Sequence, residues 1–201
     1  MRYICFVLFV VILYSSSATA QGPASNFSEI LYNPGTLKAI DSRLKVQAGD
    51  EAPDFQLPSL GGGVKSLRDY RGHSNVVLSF VPAAWTPVCS GQWPGYNIAE
   101  RKFRQSETVL LGITVDNIPT LHAWVEHMGG LWFDVLSDFW PHGETAAKYG
   151  VLRSDGTTER ALVYINKEGI ITAIQVVDIN VRPPLEDVFR ELEKFAASSG
   201  K

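Results

Sequence analysis

The chain consists largely of short apolar runs separated by amphipathic and polar stretches. Residues 75–81 and 108–115 are apolar and rich in β-branched side chains with little alternation, which is typical of strands covered on both faces. Strands are predicted at 52–58, 64–67, 75–81, 108–115, 133–138, 161–166 and 170–177. A glycine run at 61–63 joins the first two strands into a predicted N-terminal hairpin, and a turn joins the last two.

Helical patterns lie between most of these strands. Helices are predicted at about 88–103, 118–128, 143–149 and 183–197, with a helical turn at 67–72 and a short amphipathic helix at 37–44. Pro94 and Gly95 predict a kink or break in the first long helix. Asp116 and Asp138 close strands and are expected to cap the elements that follow. The alternation of strands and helices predicts an α/β fold with a mixed central sheet flanked by helices.

The first twenty residues differ from the rest of the chain. Arg2 precedes an apolar run at 3–14, and residues 18–20 form a small-residue cleavage site, as in a secretory signal peptide. The run is shorter than the roughly 20 residues that span a bilayer. We therefore expect a signal peptide at 1–20, cleavage near Ala20 and export to a periplasm or the extracellular space; an uncleaved signal would anchor the chain in the membrane. The polar residues 21–46 predict an extended lead-in to one domain at 47–199.

Composition and charge narrow the function classes. With 201 residues, 45% of them hydrophobic, the chain is long enough for one domain with a sizeable core. The net charge is −3 and no run of Lys or Arg occurs, so nucleic acid is not an expected partner. His122 and His127 are five residues apart, which is not the four-residue spacing of a helical zinc site. No motif for a metal, haem or flavin is present, and no cofactor is expected.

Removal of the signal peptide would leave Cys89 as the only cysteine, since the other is Cys5. A single thiol in an exported protein is either reactive or a small buried hydrophobic residue, and the count alone leaves both open. The pattern places Cys89 in the first turn of a helix that follows a proline-bounded loop at 82–87. The unpaired N–H groups of a helix N-terminus favour the thiolate, which is the reactive form of cysteine.

Residues 85–89 exclude one kind of redox chemistry. Trp85-Thr86-Pro87-Val88-Cys89 has the frame of a Cys-x-x-Cys oxidoreductase motif, but Thr86 occupies the position of the first cysteine. Dithiol–disulfide exchange within the motif is therefore impossible. The Thr86 hydroxyl could interact with a substrate, or Thr86 could be an ordinary helix N-cap.

These residues carry a family resemblance. The spacing Pro82-x-x-x-Thr86-x-x-Cys89 resembles the P-x-x-x-T-x-x-C motif of the peroxiredoxins, the alkyl hydroperoxide reductase/thiol-specific antioxidant family. Further segments resemble the same family: Ala52-Pro53-Asp54-Phe55, Leu136-Ser137-Asp138 and Arg160-Ala161-Leu162-Val163-Tyr164-Ile165. The segment at 137–143 is similar to the one-cysteine alkyl hydroperoxide reductase E or bacterioferritin-comigratory-protein type.

The resemblance implies a thioredoxin-like fold and a peroxidase. It implies that the Cys89 thiolate attacks a peroxide and becomes a sulfenic acid, that Thr86 and Arg160 bind the peroxide oxygens, and that Pro82 shields the sulfur. Four residues are expected to bind substrate or complete the pocket: Val88 through its N–H, Gln92 by orienting Arg160, Trp85 beside Thr86, and Trp140 as a pocket wall. For Trp140, core packing or a helix start is the alternative.

The resemblance also leads to expectations about the reductant and the oligomeric state. Without a second cysteine, a one-cysteine cycle is expected, in which a thioredoxin-like, glutaredoxin-like or small-thiol reductant reduces the sulfenic acid. Family members commonly form homodimers, and a homodimer is expected here. The alternative function is a redox-sensing or binding protein of the same fold without efficient peroxidase turnover.

Overall fold

A five-stranded mixed sheet lies at the centre of the fold. The structure is a computed structural model that describes residues 26–199, without the side chains of the last two. Two strands, β1 (Gln56–Pro58) and β2 (Val64–Ser66), form a separate hairpin. The central sheet consists of β3 (Asn75–Phe80), β4 (Thr108–Thr114), β5 (Asp134–Ser137), β6 (Arg160–Ile165) and β7 (Ile171–Val177). The sheet order is β5-β4-β3-β6-β7, with β3 parallel to β4 and antiparallel to β6. The predicted mixed sheet is confirmed.

Helices cover both faces of this sheet. They are α1 (Pro87–Gly95), α2 (Glu100–Gln105), α3 (Ile118–His127), α4 (Glu144–Tyr149) and α5 (Leu185–Ser199). Side chains of α1, α2, α3 and α5 pack in one hydrophobic cluster on one face, while α4 and the antiparallel β1–β2 hairpin pack in a second cluster. The alternation of Val76, Val77 and Leu78 between the two clusters explains why β3 is apolar at every position.

The predicted interruption of the first long helix is confirmed. Pro94 has no N–H to donate, and the Tyr96 N–H turns back to the Trp93 carbonyl at 3.0 Å, so α1 ends at Gly95. Gly112 of β4 lets α1 approach the sheet closely, because a Cβ there would lie 2.8 Å from the Trp93 ring. These contacts fix the position of α1 on β4.

The two aspartates that close strands have different roles. Asp138 accepts hydrogen bonds from the Thr145 and Ala146 N–H groups at 3.0 and 2.9 Å and caps α4, as predicted. Asp116 does not cap α3. The side chain of Asn117 does so instead, accepting from the Thr120 N–H at 3.0 Å. The Asp116 carboxylate accepts from the Ala84 N–H at 2.8 Å and so anchors the loop that precedes α1.

The prediction of a helix at 37–44 is wrong. Residues 32–41, named the strap below, run across the domain surface without regular secondary structure. Their backbone groups bond to distant residues: Leu37 exchanges two hydrogen bonds of 2.9 Å with the Asn180 side chain, and Asp41 donates its N–H to Glu159 at 2.6 Å. Because these partners occupy backbone groups that a helix would use internally, the segment stays extended.

What the sequence predicts for the first residues of the chain stays a prediction. The predicted signal peptide at 1–20 lies outside the described residues. Within residues 26–199, no helix combines the length and the apolar character that a membrane crossing requires.

A buried ion pair supports the strap. Arg153 and Glu159 are almost fully buried, with 2.7 Å between Nη1 and Oε2. Arg153 also donates to the Lys38 carbonyl of the strap at 2.9 Å, so the pair connects the strap to the domain.

We expect Glu159→Gln to lower the free energy of unfolding by about 3 kcal/mol, because it removes the buried carboxylate and leaves Arg153 only the half-exposed Asp155, 3.6 Å from Nε, as a counter-charge. Chemical denaturation measures this loss. Glu193→Gln is the control. Glu193 forms an exposed pair with Lys102, and its replacement is expected to change the free energy of unfolding by less than about 1 kcal/mol. Equal effects of the two substitutions would contradict the role given to the buried pair.

Candidate active site

Cys89 lies in the first turn of α1, at the end of the loop that leaves β3. Thr86 has extended backbone angles and is the N-cap, and Pro87 is the first helical residue. Because Pro87 has no N–H, the Val88 and Cys89 N–H groups are the unpaired donors of this turn. The Cys89 side chain is only 1% exposed. The sulfur therefore sits in low-dielectric surroundings at the positive end of a helix.

The loop before Cys89 has an unusual backbone. Trp85 adopts a φ of 60°, in the left-handed region that non-glycine residues rarely occupy. Two hydrogen bonds hold the loop in this shape. Ala84 donates to Asp116 at 2.8 Å, and the Trp85 carbonyl accepts from the Tyr32 N–H of the strap, also at 2.8 Å. Such geometry persists only where neighbouring contacts fix it, which is common at functional sites.

The sheet register brings Arg160 to Cys89 across 71 residues of sequence. Ala161 pairs with Phe80, the last residue of β3, so Arg160 falls level with the start of the loop. The Arg160 side chain is 1% exposed, and Nη2 lies 3.5 Å from the Cys89 Sγ as a hydrogen-bond donor. The antiparallel pairing of β3 and β6 therefore creates the cation–sulfur contact.

Uncharged acceptors hold the remaining nitrogens of Arg160. Gln92 Oε1 accepts from Nη1 at 2.5 Å, and the Ile179 carbonyl accepts from Nε at 3.2 Å and from Nη2 at 2.9 Å. Among residues 26–199, no carboxylate forms an ion pair with this guanidinium. The positive charge is thus buried without a paired carboxylate, and it faces the sulfur. The exposed Asp178 interacts electrostatically with this guanidinium, but only at longer range.

Gln92 is itself held by a polar network. Its Nε2 donates to the Tyr96 hydroxyl at 3.0 Å and to Ser79 Oγ at 3.4 Å, which fixes the amide with its oxygen toward Arg160. Burial raises the pKa of Tyr96 to about 12, and the hydrogen bonds from Gln92 and Ser79 only partly oppose this shift. Tyr96 is consequently neutral at physiological pH and adds no negative charge near Arg160.

Thr86 and Pro82 line the same space as Cys89. The Thr86 hydroxyl donates to the Ala83 carbonyl at 3.0 Å and makes no capping bond to the helix. Its oxygen therefore remains available as an acceptor. A cavity of about 540 Å³ opens above the sulfur. It is lined by residues 32–37 of the strap, by Pro82, Ala83, Thr86, Pro87, Val88 and Cys89 of the loop and α1, and by Asp155, Thr157, Arg160, Ile179 and Asn180.

Two expected pocket residues are not in this cavity. Trp140 is 80% exposed, in the turn between β5 and α4. Trp85 packs edge-on against Phe27 and His127. The structure therefore does not bring Trp85 or Trp140 to the lining of this cavity.

Sequence reasoning missed the wall formed by the strap and by Ile179 and Asn180. The apolar spacing at 37–44 predicted a helix, which the structure does not contain. Asn33, Pro34 and Gly35 have the composition of an ordinary turn. Ile179 and Asn180 follow β7, where the sequence predicted only a connection to α5. No signal in the sequence distinguishes these residues as part of a site.

Comparisons with known proteins agree with this geometry. The AhpC/TSA family matches residues 48–174. Alkyl hydroperoxide reductase E of Mycobacterium tuberculosis (strain ATCC 25618 / H37Rv) is 35% identical over 127 residues, which are 63% of this chain and 82% of that protein. A chloroplastic 2-cysteine peroxiredoxin of Chattonella marina var. antiqua is 30% identical over 164 residues, covering 77% of this chain and 83% of that protein.

Solved structures have the same fold. The reduced 2-Cys peroxiredoxin of Plasmodium vivax superposes with a TM-score of 0.68 at 26% identity, over 74% of this chain and 81% of that one. Mycobacterium tuberculosis AhpC gives a TM-score of 0.70 over 76% and 94% of the two chains, and at 20% identity it shows the fold alone. The predicted thioredoxin-like fold is confirmed.

Fold and site together define a peroxiredoxin, a thiol-dependent peroxidase of the oxidoreductase class. Because the family match extends over more than half of its length, the chain belongs to the AhpC/TSA family.

Proposed function

We propose that Cys89 reduces hydrogen peroxide or organic hydroperoxides through a sulfenic acid, and that an external thiol completes the cycle. The observation that carries this proposal is the 3.5 Å contact between the Cys89 Sγ and the buried Arg160 guanidinium, which has no carboxylate partner among the described residues. A thiolate is the anion that this arrangement accommodates.

In the first step the thiolate attacks the terminal oxygen of the peroxide, ROOH. The S–O bond forms as the O–O bond breaks, giving Cys89–SOH and the alkoxide RO⁻, which takes a proton to become ROH. The sulfur loses two electrons and the peroxide gains them. Hydrogen peroxide follows the same scheme with R as hydrogen and water as the product.

Three groups would stabilise this step. Arg160 donates hydrogen bonds to the peroxide oxygens and compensates the charge that moves onto the leaving oxygen. Thr86 accepts a hydrogen bond from the peroxide hydroxyl, because its own hydrogen is directed to the Ala83 carbonyl. The Val88 N–H adds a donor at the helix N-terminus. Pro82, buried beside the sulfur, limits the access of water.

The second half of the cycle needs a reductant from outside the chain. Cys89 is the only cysteine in the described part of the protein. A reductant thiol R′SH would condense with Cys89–SOH to give a mixed disulfide and water, and a second thiol would release Cys89–SH and R′SSR′. Thioredoxin-like, glutaredoxin-like and small thiols are the candidate reductants. Export and a homodimer remain further proposals.

Treatment of the reduced protein with one equivalent of peroxide tests this function. We expect loss of the free thiol and a single dimedone adduct on Cys89 by mass spectrometry, since residues 26–199 contain no other cysteine that could form a disulfide with it. An intramolecular disulfide would contradict the one-cysteine cycle. A rate of oxidation no faster than that of a free thiol in solution would instead favour the redox-sensing alternative.

A further inference from the structure

The strap closes one side of the cavity above Cys89. Residues 32–37 line this side, and they precede the segment 48–174 that matches the family. The wall that they form is therefore outside the part of the chain on which family membership rests.

Specific bonds tie this wall to the catalytic residues. The Asn180 side-chain amide bonds to both backbone groups of Leu37, at 2.9 Å each, and the preceding carbonyl, that of Ile179, accepts two hydrogen bonds from Arg160. At its other end the strap donates the Tyr32 N–H to Trp85, the residue before Thr86. The strap thus has a fixed position relative to the groups that would bind the peroxide.

The lining of the cavity is mostly apolar. The strap contributes Tyr32, Pro34 and Leu37, and Val88 and Ile179 continue this surface toward Cys89. Its volume, about 540 Å³, is in the range of sites that hold a small organic molecule and is far larger than hydrogen peroxide requires. An apolar wall gives no contact energy to hydrogen peroxide, which has no apolar part.

We propose that the strap is the specificity-determining wall of the peroxide site, with Tyr32, Pro34 and Leu37 contacting the apolar tail of an organic hydroperoxide. This inference rests on the proposed function of Cys89 and leaves its chemistry unchanged. It assigns the preference among peroxides to a segment that precedes the family domain.

The test compares two peroxides on the reduced full-length chain. Stopped-flow fluorescence measures the second-order rate constant of oxidation by cumene hydroperoxide, which has an apolar tail, and by hydrogen peroxide. We expect Leu37→Ala to lower the rate constant with cumene hydroperoxide about tenfold, the effect of losing a few methylene contacts in an apolar pocket. The rate constant with hydrogen peroxide is expected to change by less than about twofold, because it makes no contact with the wall.

Two further variants keep the test independent of folding. Tyr32→Ala changes an exposed residue of the same wall and is expected to lower the selectivity in the same direction. Ile40→Ala changes an exposed apolar residue of the strap that does not line the cavity, and it is expected to leave both rate constants unchanged.

Equal changes with both peroxides in the wall variants, or no change with either, would overturn the inference. So would a wild-type protein that shows no preference for cumene hydroperoxide. Failure of the proposed function has a different signature, because then no peroxide would oxidise Cys89 rapidly in any of the proteins, wild type included.

Discussion

Replacement of Cys89 by serine is expected to abolish peroxide reduction, with a loss of at least about 1,000-fold in the rate of turnover. A serine hydroxyl is not ionised at neutral pH, and its oxygen cannot cycle through a sulfenic acid. A coupled assay with excess thiol reductant measures the remaining turnover. Dimedone labelling of the same variant is expected to give no adduct.

The chain supplies a matched control for this experiment. Cys5→Ser makes the same chemical change at the only other cysteine, in the predicted signal peptide, and is expected to leave turnover unchanged. Thermal unfolding of Cys89→Ser is expected to show a folded protein, because serine is slightly smaller than cysteine. Turnover that survives in Cys89→Ser, or that disappears in Cys5→Ser, would contradict the one-cysteine mechanism.

The site owes its electrostatics to folding. Arg160 is desolvated when β6 pairs with β3, before any peroxide enters, and Gln92 and Ile179 satisfy its other nitrogens. At 3.5 Å a guanidinium and a thiolate attract each other by about 5 kcal/mol for an effective dielectric constant of about 20. The cation is therefore already desolvated and oriented in the folded protein, so the catalytic step requires little reorganisation.

Much of this arrangement could be predicted from the sequence. The unbroken apolar run of β3, the proline-bounded loop and the position of Cys89 together predict a thiol at a helix N-terminus, and the structure has that geometry. The pairing of Arg160 with this thiol needed the motif resemblance, since nothing local in the sequence connects residues 71 positions apart. The reason is topological, because register between β3 and β6 is set by the whole sheet.

The path of the strap could not be predicted because its local sequence pattern indicates a helix that does not form. Leu37, Ile40 and Leu44 recur at helical spacing, and Ile40 and Leu44 are exposed in the structure. Tertiary hydrogen bonds to Asn180 and Glu159 override that local preference. Because backbone hydrogen bonds to distant residues fix the segment, its side-chain pattern predicts neither its path nor its place in the cavity.

The structure defines the role of Gln92 through hydrogen bonds that the sequence alone does not show. The neutral amide of Gln92 accepts from Arg160 and places no second anion beside the sulfur. The amide still provides the acceptor oxygen that orients the guanidinium. Gln92 is therefore a positioning residue that acts through Arg160.

Replacement of Arg160 by methionine is expected to lower the second-order rate constant with hydrogen peroxide by roughly 100- to 1,000-fold, the usual cost of removing one donor from a charge-stabilising site. The substitution removes both the cation that faces the sulfur and the donor to the peroxide oxygens. The rate of alkylation by iodoacetamide, a neutral reagent with no peroxide oxygens, is expected to fall by a smaller factor. The difference between the two factors measures the contribution of Arg160 to the peroxide itself.

Further substitutions separate this role from a structural one. Arg182→Met removes an exposed arginine that donates to the Gly91 carbonyl of α1 at 3.3 Å, and both rates are expected to stay within about twofold because exposed charges are screened. Gln92→Met is expected to slow the peroxide reaction about tenfold by releasing the guanidinium, while Gln92→Glu, which keeps the acceptor oxygen, is expected to retain more of the rate. If Arg160→Met slowed both reactions by the same factor, Arg160 would act on the sulfur alone, since only a group that also binds the peroxide oxygens can slow the peroxide reaction further.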